Sequence, residues 1–344
     1  MKALLIQTDP QTPEPATATA AAGQDHTPRL CVAEVPDLVP RRDEVRVAVR
    51  LAGICRTDLE LLRGYAGFCG IPGHEFVGCV IDAESPLFGR RVVGEINVGC
   101  GHCPLCAADL ERHCPLRTVL GIVGRPGAFA EALSLPSRNL LPVPDTVSDE
   151  QAVFCEPLAA ALALFEGQHI VPGTRMLVIG DGKLGLLAAQ VAAHMGAQTT
   201  LLGRHARKLQ HAAGRGIDVL HSDGPPVTAA RFPVVVECSG TPAGLTLALH
   251  HTAPRGTLLL KSTYAPTQSP TLDWARVVVD EIRVQGSRCG RFAPALQLLS
   301  RRAIQVDCLI DDCVPLSSGI DGFARASQRG ALKVLLRPDN SPAR

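Results

Sequence analysis

The run Met176-Leu177-Val178-Ile179 followed at once by Gly180-Asp181-Gly182-Lys183-Leu184-Gly185 limits the fold more than any other stretch of the 344 residues. An apolar strand, glycines spaced G-x-G-x-x-G and a helical pattern over 184–195 form the opening of a βαβ unit. Thr199-Thr200-Leu201-Leu202, Pro233-Val234-Val235-Val236-Glu237 and Thr257-Leu258-Leu259-Leu260 continue the series. Continuous apolar strands alternating with helices imply a parallel sheet covered on both faces, a doubly wound α/β domain over about 157–292.

The chain before residue 152 has another texture. Short alternating runs such as Glu44-Val45-Arg46-Val47-Ala48-Val49 predict antiparallel strands. Residues 10–28, dominated by Pro, Ala and Thr, predict a flexible surface loop between two strands. The tail, 293–344, predicts a helix over 294–301 and a closing strand over 332–336, both packing back on the first domain. Two domains also follow from length, since one core rarely serves so long a chain.

Lys and Arg number 34 against 33 Asp and Glu, with no long run of either sign, which argues against nucleic acid or a membrane surface as partner. The apolar run at the N-terminus is too short for a signal peptide and no stretch can span a bilayer, so a cytoplasmic location is expected. In that setting the 13 cysteines are read as metal ligands or buried thiols rather than disulfides.

Cys100, Cys103, Cys106 and Cys114 are spaced C-x2-C-x2-C-x7-C in a Gly/Pro-rich loop. Four soft sulfurs brought together by tight turns suit a tetrahedral zinc with no open position, hence a structural site. The alternative, four unrelated buried thiols, fits such a loop poorly. With four sulfurs available, His102 and His113 are expected to face solvent.

The glycine loop has the features of a dinucleotide site. Gly180 permits the tight turn, Gly182 lets the backbone approach a pyrophosphate, and Gly185 lets helix and strand pack closely, while Lys183 and Leu184 open the helix whose N–H groups face phosphate. The end of the second strand, where an acidic side chain binds the ribose hydroxyls of NAD, falls on Gly203. Arg204, His205, Arg207 and Lys208 follow, with no carboxylate at that position to repel a 2′-phosphate, so NADP is expected in preference to NAD. The alternative is that these basic residues are only the solvated first turn of the next helix.

Three further segments carry potential ligands for an open metal site: Gly53-Ile54-Cys55-Arg56-Thr57-Asp58, Gly73-His74-Glu75 and Cys155-Glu156-Pro157. With the four-cysteine lobe, the glycine loop and Gly286-Ser287-Arg288-Cys289-Gly290, they make the chain resemble the zinc-containing medium-chain dehydrogenases/reductases, the alcohol dehydrogenase superfamily, nearest in motif to its sorbitol, glucose and threonine dehydrogenase branch. The resemblance covers nearly the whole chain. It implies a GroES-like strand-rich catalytic domain at 1–156 and 293–344, a Rossmann cofactor domain at 157–292, and a homodimer or homotetramer joined through the Rossmann sheets.

The same resemblance implies two zinc ions per chain. Cys55 and His74 would hold the catalytic one, Glu75 would be a ligand or exchange with water, and Thr57 would relay the proton. Simple alcohol dehydrogenases have a cysteine at the third ligand position, and the polyol and glucose branch has Glu-Pro. Here Glu156-Pro157 matches the second pattern, with Cys155 one residue earlier as an alternative ligand. The implied activity is hydride transfer between an alcohol, in particular a polyol, sugar or related secondary alcohol, and a nicotinamide cofactor. Tyr65, Phe68, Ile96, Asn97, Leu120 and Phe129 would approach the zinc, and the aromatic content of 3% favours a small aliphatic or polyol substrate. The competing classes are an enzyme for a specialised pathway alcohol or aldehyde, a zinc-free quinone or enoyl reductase, and a non-catalytic NADP and zinc sensor.

Overall fold

The computed structural model describes residues 1–7, 28–224, 230–263 and 271–340. Apart from Pro28, the segment expected as a surface loop at 10–28 lies outside the described residues. The chain divides into two compact units, Met1–Phe154 with Ile310–Arg344, and Cys155–Leu309.

The first unit is built on a seven-stranded sheet. Its path runs Ile310–Pro315, Lys333–Arg337, Glu44–Gly53, Glu75–Val80, Arg91–Gly94, Leu140–Pro142, with Ala132–Pro136 also pairing with Glu44–Gly53. All but the first of these pairings are antiparallel. In Glu44–Gly53 the alternate residues Val47, Val49 and Leu51 are at most 3% exposed, as a half-buried strand with period two requires. Smaller antiparallel pairs join Lys2–Gln7 to Arg29–Glu34 and Asn97–Val98 to Thr118–Val119.

The second unit holds a six-stranded parallel sheet in the order Asp218–His221, Gln198–Gly203, Arg175–Ile179, Phe232–Glu237, Thr252–Leu260, Arg283–Gly286. By chain position this is 3-2-1-4-5-6, the doubly wound Rossmann order, whose ligand crevice lies at the carboxyl ends of the strands where the order reverses. Met176, Leu177 and Val178 are fully buried, because helices pack on both faces of a parallel sheet. Leu177, Ile179, Leu202, Val235, Leu249 and Leu258 belong to one continuous apolar core.

The division differs from the expected one at both boundaries, which fall at 154/155 and 309/310 rather than 156/157 and 292/293. The helix Phe292–Ser300, expected to pack on the first domain, lies in the second unit against the helix Cys155–Leu162. Its buried residues Phe292, Ala295, Leu296 and Leu299 follow the i, i+3, i+4, i+7 spacing of one helical face, and that face finds its apolar partner there. The Cys155 thiol donates to the Phe292 carbonyl at 3.6 Å in the same contact.

Candidate metal centres and cofactor site

The sulfurs of Cys100, Cys103, Cys106 and Cys114 all lie within 4.8 Å of one another. Cys100 and Cys106 are 3.9 Å apart and Cys103 and Cys114 3.8 Å. Four sulfurs at about 2.3 Å from a zinc ion in a tetrahedron are separated by about 3.8 Å, so this spacing fits the ion. Backbone amides already point at the sulfurs: Cys100 N–H donates to Cys114 Sγ at 3.4 Å and Cys106 N–H to Cys103 Sγ at 3.5 Å. The backbone amide of His102 pulls the Cys100 thiol down to about 6, toward the thiolate that a metal needs. Close packing admits no side chain at Gly99, whose Cβ would stand 2.7 Å from Cys106 Sγ. His102 and His113 are exposed.

A second group forms where the strand Glu44–Gly53 runs into the helix Arg56–Leu62. Potential ligand atoms of Cys55, His74 and Glu75 lie within 4.8 Å of one another. Cys55 is the N-cap of that helix, and its amide donates to Asp58 Oδ2 at 2.7 Å, so the thiol is presented from a fixed turn. Gly53 pairs with Glu75 across the sheet, which brings the Cys55 turn and the His74-Glu75 pair side by side. Thr57, half-buried, places its hydroxyl 3.9 Å from Cys55 Sγ.

Two residues whose roles the sequence did not reveal complete this group. Asp58 is fully buried, with Oδ1 at 3.3 Å from both His74 Nδ1 and the Gly73 amide. The carboxylate stands at ion-pair distance from Nδ1, a buried nitrogen that makes no hydrogen bond among the described residues. Burial of His74 opposes its charged form, but Asp58 and Cys55 outweigh it and raise the imidazole well above its usual range. Lys333, from the closing strand, forms an ion pair with Glu75 Oε2, and neither side chain has any exposed surface. Burial pushes the Lys333 ammonium down to about 8, against the pull of Cys55 and Asp58.

Glu156 lies in the second unit, half-buried on the first turn of Cys155–Leu162. Cys155 is only 1% exposed, and its thiol is engaged by the Phe292 carbonyl, as suits a buried packing residue. Of the six residues named for a substrate pocket, Ile96, Leu120 and Phe129 are buried apolar packing, and Phe129 stacks edge-on against Phe323 at 5.8 Å. Asn97 is buried with an Oδ1 that has no hydrogen-bond partner among the described residues, Tyr65 is exposed and Phe68 is half-buried.

The glycine loop has the geometry its spacing demands. Gly180 has φ 116°, and a Cβ there would stand 2.7 Å from the Cys238 carbonyl. Gly182 caps the helix Lys183–His194 and has open space where its Cβ would be, leaving room for a close ligand. A Cβ on Gly185 would overlap the Gly180 carbonyl. Lys183 and Leu184 are half-buried in the first turn of that helix. At the end of Gln198–Gly203, Arg204 and Arg207 are exposed, but Lys208 is only 7% exposed and lies on the buried side of Ala206–Ala213.

One expectation about this strand end needs correction: a carboxylate does stand there. It comes from the glycine loop itself, since Asp181 fills the space that a side chain at Gly203 would occupy, with its Cγ and Oδ2 both 2.8 Å from the position of such a Cβ. Asp181 Oδ2 accepts from the amides of Arg204 at 2.7 Å and His205 at 2.6 Å and lies 2.9 Å from His205 Nδ1. Burial opposes its charge, but these donors outweigh burial and hold the carboxyl below its usual range.

Comparison with known proteins agrees with this geometry. The alcohol dehydrogenase GroES-like domain family matches residues 41–145, and the zinc-binding dehydrogenase family matches residues 184–301. An L-threonine 3-dehydrogenase of Streptomyces coelicolor is 31% identical over 78% of this chain and 83% of its own length. D-arabinitol dehydrogenase 1 of Uromyces fabae is 28% identical over 86% of this chain and 90% of its own. Among solved structures, a protein described as a zinc-binding dehydrogenase of Sinorhizobium meliloti, bound to NADP, superposes with a TM-score of 0.81 at 28% identity, over 90% of this chain and 96% of that one. Galactitol-1-phosphate dehydrogenase of Escherichia coli gives 0.82 at 25% identity, over 98% of this chain and 100% of that one.

A GroES-like unit followed by a zinc-binding dehydrogenase unit defines an oxidoreductase class. The chain belongs to the zinc-containing medium-chain dehydrogenase/reductase family and is a zinc-dependent, nicotinamide-linked alcohol dehydrogenase.

Proposed function

We propose that this enzyme interconverts a polyol, sugar alcohol or related secondary alcohol with its carbonyl form, using NADP in preference to NAD. The observation that carries the reading is the Cys55, His74 and Glu75 group, backed by buried Asp58, in the chain that also bears Glu156-Pro157. The names of the relatives, D-arabinitol and L-threonine 3-dehydrogenase, support secondary alcohols and polyols as the substrate class. The exposed Arg204 and Arg207 support NADP, as does the NADP-bound neighbour.

In this reading the chain holds two zinc ions, one by Cys100, Cys103, Cys106 and Cys114, the other by Cys55, His74 and, as ligand or exchanging group, Glu75. Zinc, when bound at the second site, acidifies an alcohol as a Lewis acid, and the nicotinamide accepts the hydride. Asp58, with Oδ1 at 3.3 Å from Nδ1, is the carboxylate that would orient the His74 ring. Lys333 neutralises Glu75 and keeps its Oε2 turned to the ammonium. The Thr57 hydroxyl, which can accept and donate together, takes the alcohol proton and passes it outward. Gly180, Gly182 and Gly185 with the first turn at Lys183 and Leu184 cradle the pyrophosphate, while Gly203, Arg204 and Lys208 form the adenosine end.

The proposal extends to assembly and location. Trp274, Val278 and Val279 are 65%, 74% and 80% exposed on the helix Trp274–Val279, next in the chain to Arg283–Gly286, the last strand in the sheet order. An apolar helix beside an unpaired strand edge suits a homodimer, or a tetramer made of two, joined through the Rossmann sheets. No disulfide joins any of the thirteen cysteines among the described residues, which suits a reducing compartment. No helix among the described residues is long and apolar enough to cross a membrane.

The test is nicotinamide absorbance with the zinc-replete protein against polyols, aldoses, amino alcohols and simple alcohols, each with NADP and with NAD. Turnover of polyols or other secondary alcohols, faster with NADP, is expected. Turnover confined to simple primary alcohols would overturn the substrate class, and a preference for NAD would overturn the cofactor reading.

A further inference from the structure

The missing acid at Gly203 and the presence of Asp181 in its space bear on cofactor choice more directly than the basic residues do. In Rossmann domains the acidic side chain at this strand end accepts hydrogen bonds from the ribose hydroxyls and excludes a 2′-phosphate by charge. Here the strand end has no side chain, and the carboxylate that occupies the same volume is delivered by the residue after Gly180. Asp181 is 8% exposed, and its three donors all converge on Oδ2.

His205 is the other half of the arrangement. It stands at the N-cap position of the eight-residue helix Ala206–Ala213, yet its side chain caps no helix amide and turns back to Asp181 instead. With Nδ1 engaged by the carboxylate, the ring's Nε2 is buried and has no hydrogen-bond partner among the described residues. A buried ring nitrogen without a partner is costly unless something else meets it. Its neighbours Arg204 and Arg207 are exposed on the same turn.

We propose that Asp181 and His205 are a specificity-determining pair for the adenosine ribose: Asp181 supplies, from the glycine loop, the carboxylate that favours ribose hydroxyls over a 2′-phosphate, and His205 offsets that carboxylate so that Arg204 and Arg207 can admit the phosphate. The inference rests on the nicotinamide-dinucleotide reading of the glycine loop and assigns the cofactor preference to a balance within one turn. Removing either partner then shifts the preference in opposite directions, which a purely structural anchor would not do.

The experiment is calorimetric binding of NADP, NAD, 2′,5′-ADP and ADP to the full-length zinc-replete protein, with no turnover involved. Asp181→Asn raises the ratio of NADP to NAD affinity by about tenfold, equivalent to ~1.4 kcal/mol, and His205→Ala lowers it by a similar factor. The nicotinamide-free pair shows the same shifts. In the Asp181→Asn background the effect of His205→Ala on the ratio disappears, because the charge it offsets has gone. Should His205→Ala fail to fold, His205→Leu, which fills the ring's space but cannot donate to Asp181, lowers the ratio with the same sign. Equal loss of all four ligands in both variants, or ratios unchanged within twofold, would overturn the proposal and leave Asp181 a structural anchor. Failure of the wild-type protein to bind any of the four would instead remove the cofactor reading on which the inference stands.

Discussion

The Lys333–Glu75 ion pair is the feature of this fold most exposed to a decisive test. Both side chains are fully buried, and Lys333 Nζ lies 3.5 Å from the Ile54 carbonyl and 5.5 Å above the Phe154 ring. Lys333→Met keeps the length and apolar stem but leaves the Glu75 carboxylate buried without its cation. Removing one member of a buried pair costs about 3–5 kcal/mol, because the remaining charge keeps its desolvation penalty without its partner. For a unit of this size ~1 kcal/mol moves the thermal midpoint by roughly 2–4 °C, so the single substitution should lower it by on the order of 10 °C. Glu75→Gln combined with Lys333→Met leaves no charge behind and should recover most of that loss, since neutral replacement of a buried pair is often near neutral. The assay is scanning calorimetry of metal-free and zinc-loaded samples of the wild type, each single variant and the double variant. A Lys333→Met midpoint within 2–3 °C of the wild type would refute the argument, and so would a double variant no more stable than the worse single one.

Four further outcomes follow from the same geometry. Asp58→Asn, which keeps the shape beside His74 Nδ1 but removes the charge, should weaken zinc at the second site by about 10- to 100-fold, read by competition with a chromophoric chelator; unchanged affinity would deny Asp58 its orienting role. Thr57→Val should slow turnover by roughly 10²- to 10⁴-fold with cofactor affinity unchanged, and a rate equal to wild type would remove the hydroxyl from the proton path. Cys103→Ser should lower the metal content measured by mass spectrometry from two zinc ions per chain to one while the remaining ion stays bound; two ions in the folded variant would place the second elsewhere. Asp149, paired with Arg50 and Arg91, has its carboxyl held below the usual range because the two guanidinium groups outweigh burial. Its folded value is therefore below its unfolded value of about 3.9, so its stabilisation is present above that pH and is lost as pH falls through the folded value. The stability gap between wild type and Asp149→Asn should close below about pH 4, and a gap constant down to pH 2 would contradict the assignment.

What could be read from the sequence was whatever a short segment specifies by itself. The four cysteines and the glycine loop were legible because tight turns fix the ligand spacing within a few residues, and those turns are present at Cys100–Cys106 and Gly180–Gly185. Parallel strands were legible where apolar residues run together, as in Met176–Ile179 and Val234–Val236. Lys333 was not, since a lysine in Leu332-Lys333-Val334-Leu335-Leu336 looks like the polar residue of an ordinary closing strand, and its partner Glu75 is 258 residues away. The carboxylate at the Gly203 strand end was missed for a related reason. Inspection of the residues after the strand Gln198–Gly203 finds no acid, but the group that fills the space comes from the neighbouring strand's turn, 23 residues before Arg204. The helix Phe292–Ser300 was assigned to the wrong unit because periodicity shows that a helix has an apolar face without showing which surface will cover it.

Three of the buried acids share one pattern that bears on how both sites are held. Asp58, Asp181 and Glu237 are at most 8% exposed, and each accepts hydrogen bonds from amides of turns rather than of helices or strands: Cys55 and Gly73 for Asp58, Arg204 and His205 for Asp181, Ser239 and Gly240 for Glu237. A turn at a strand end leaves amide groups without partners in regular structure, and a buried amide without an acceptor is costly. A buried carboxylate without donors is costlier still, so each need answers the other. The effect is to fix the backbone at the Cys55 turn, beside the Gly180 loop and at the Gly203 strand end, where the ligand-facing groups would otherwise stand on loosely held loops. An isosteric amide at Asp58 or Glu237 retains the volume but turns one acceptor into a donor facing N–H groups. Such substitutions should therefore disturb zinc or cofactor binding more than the small change in shape would suggest.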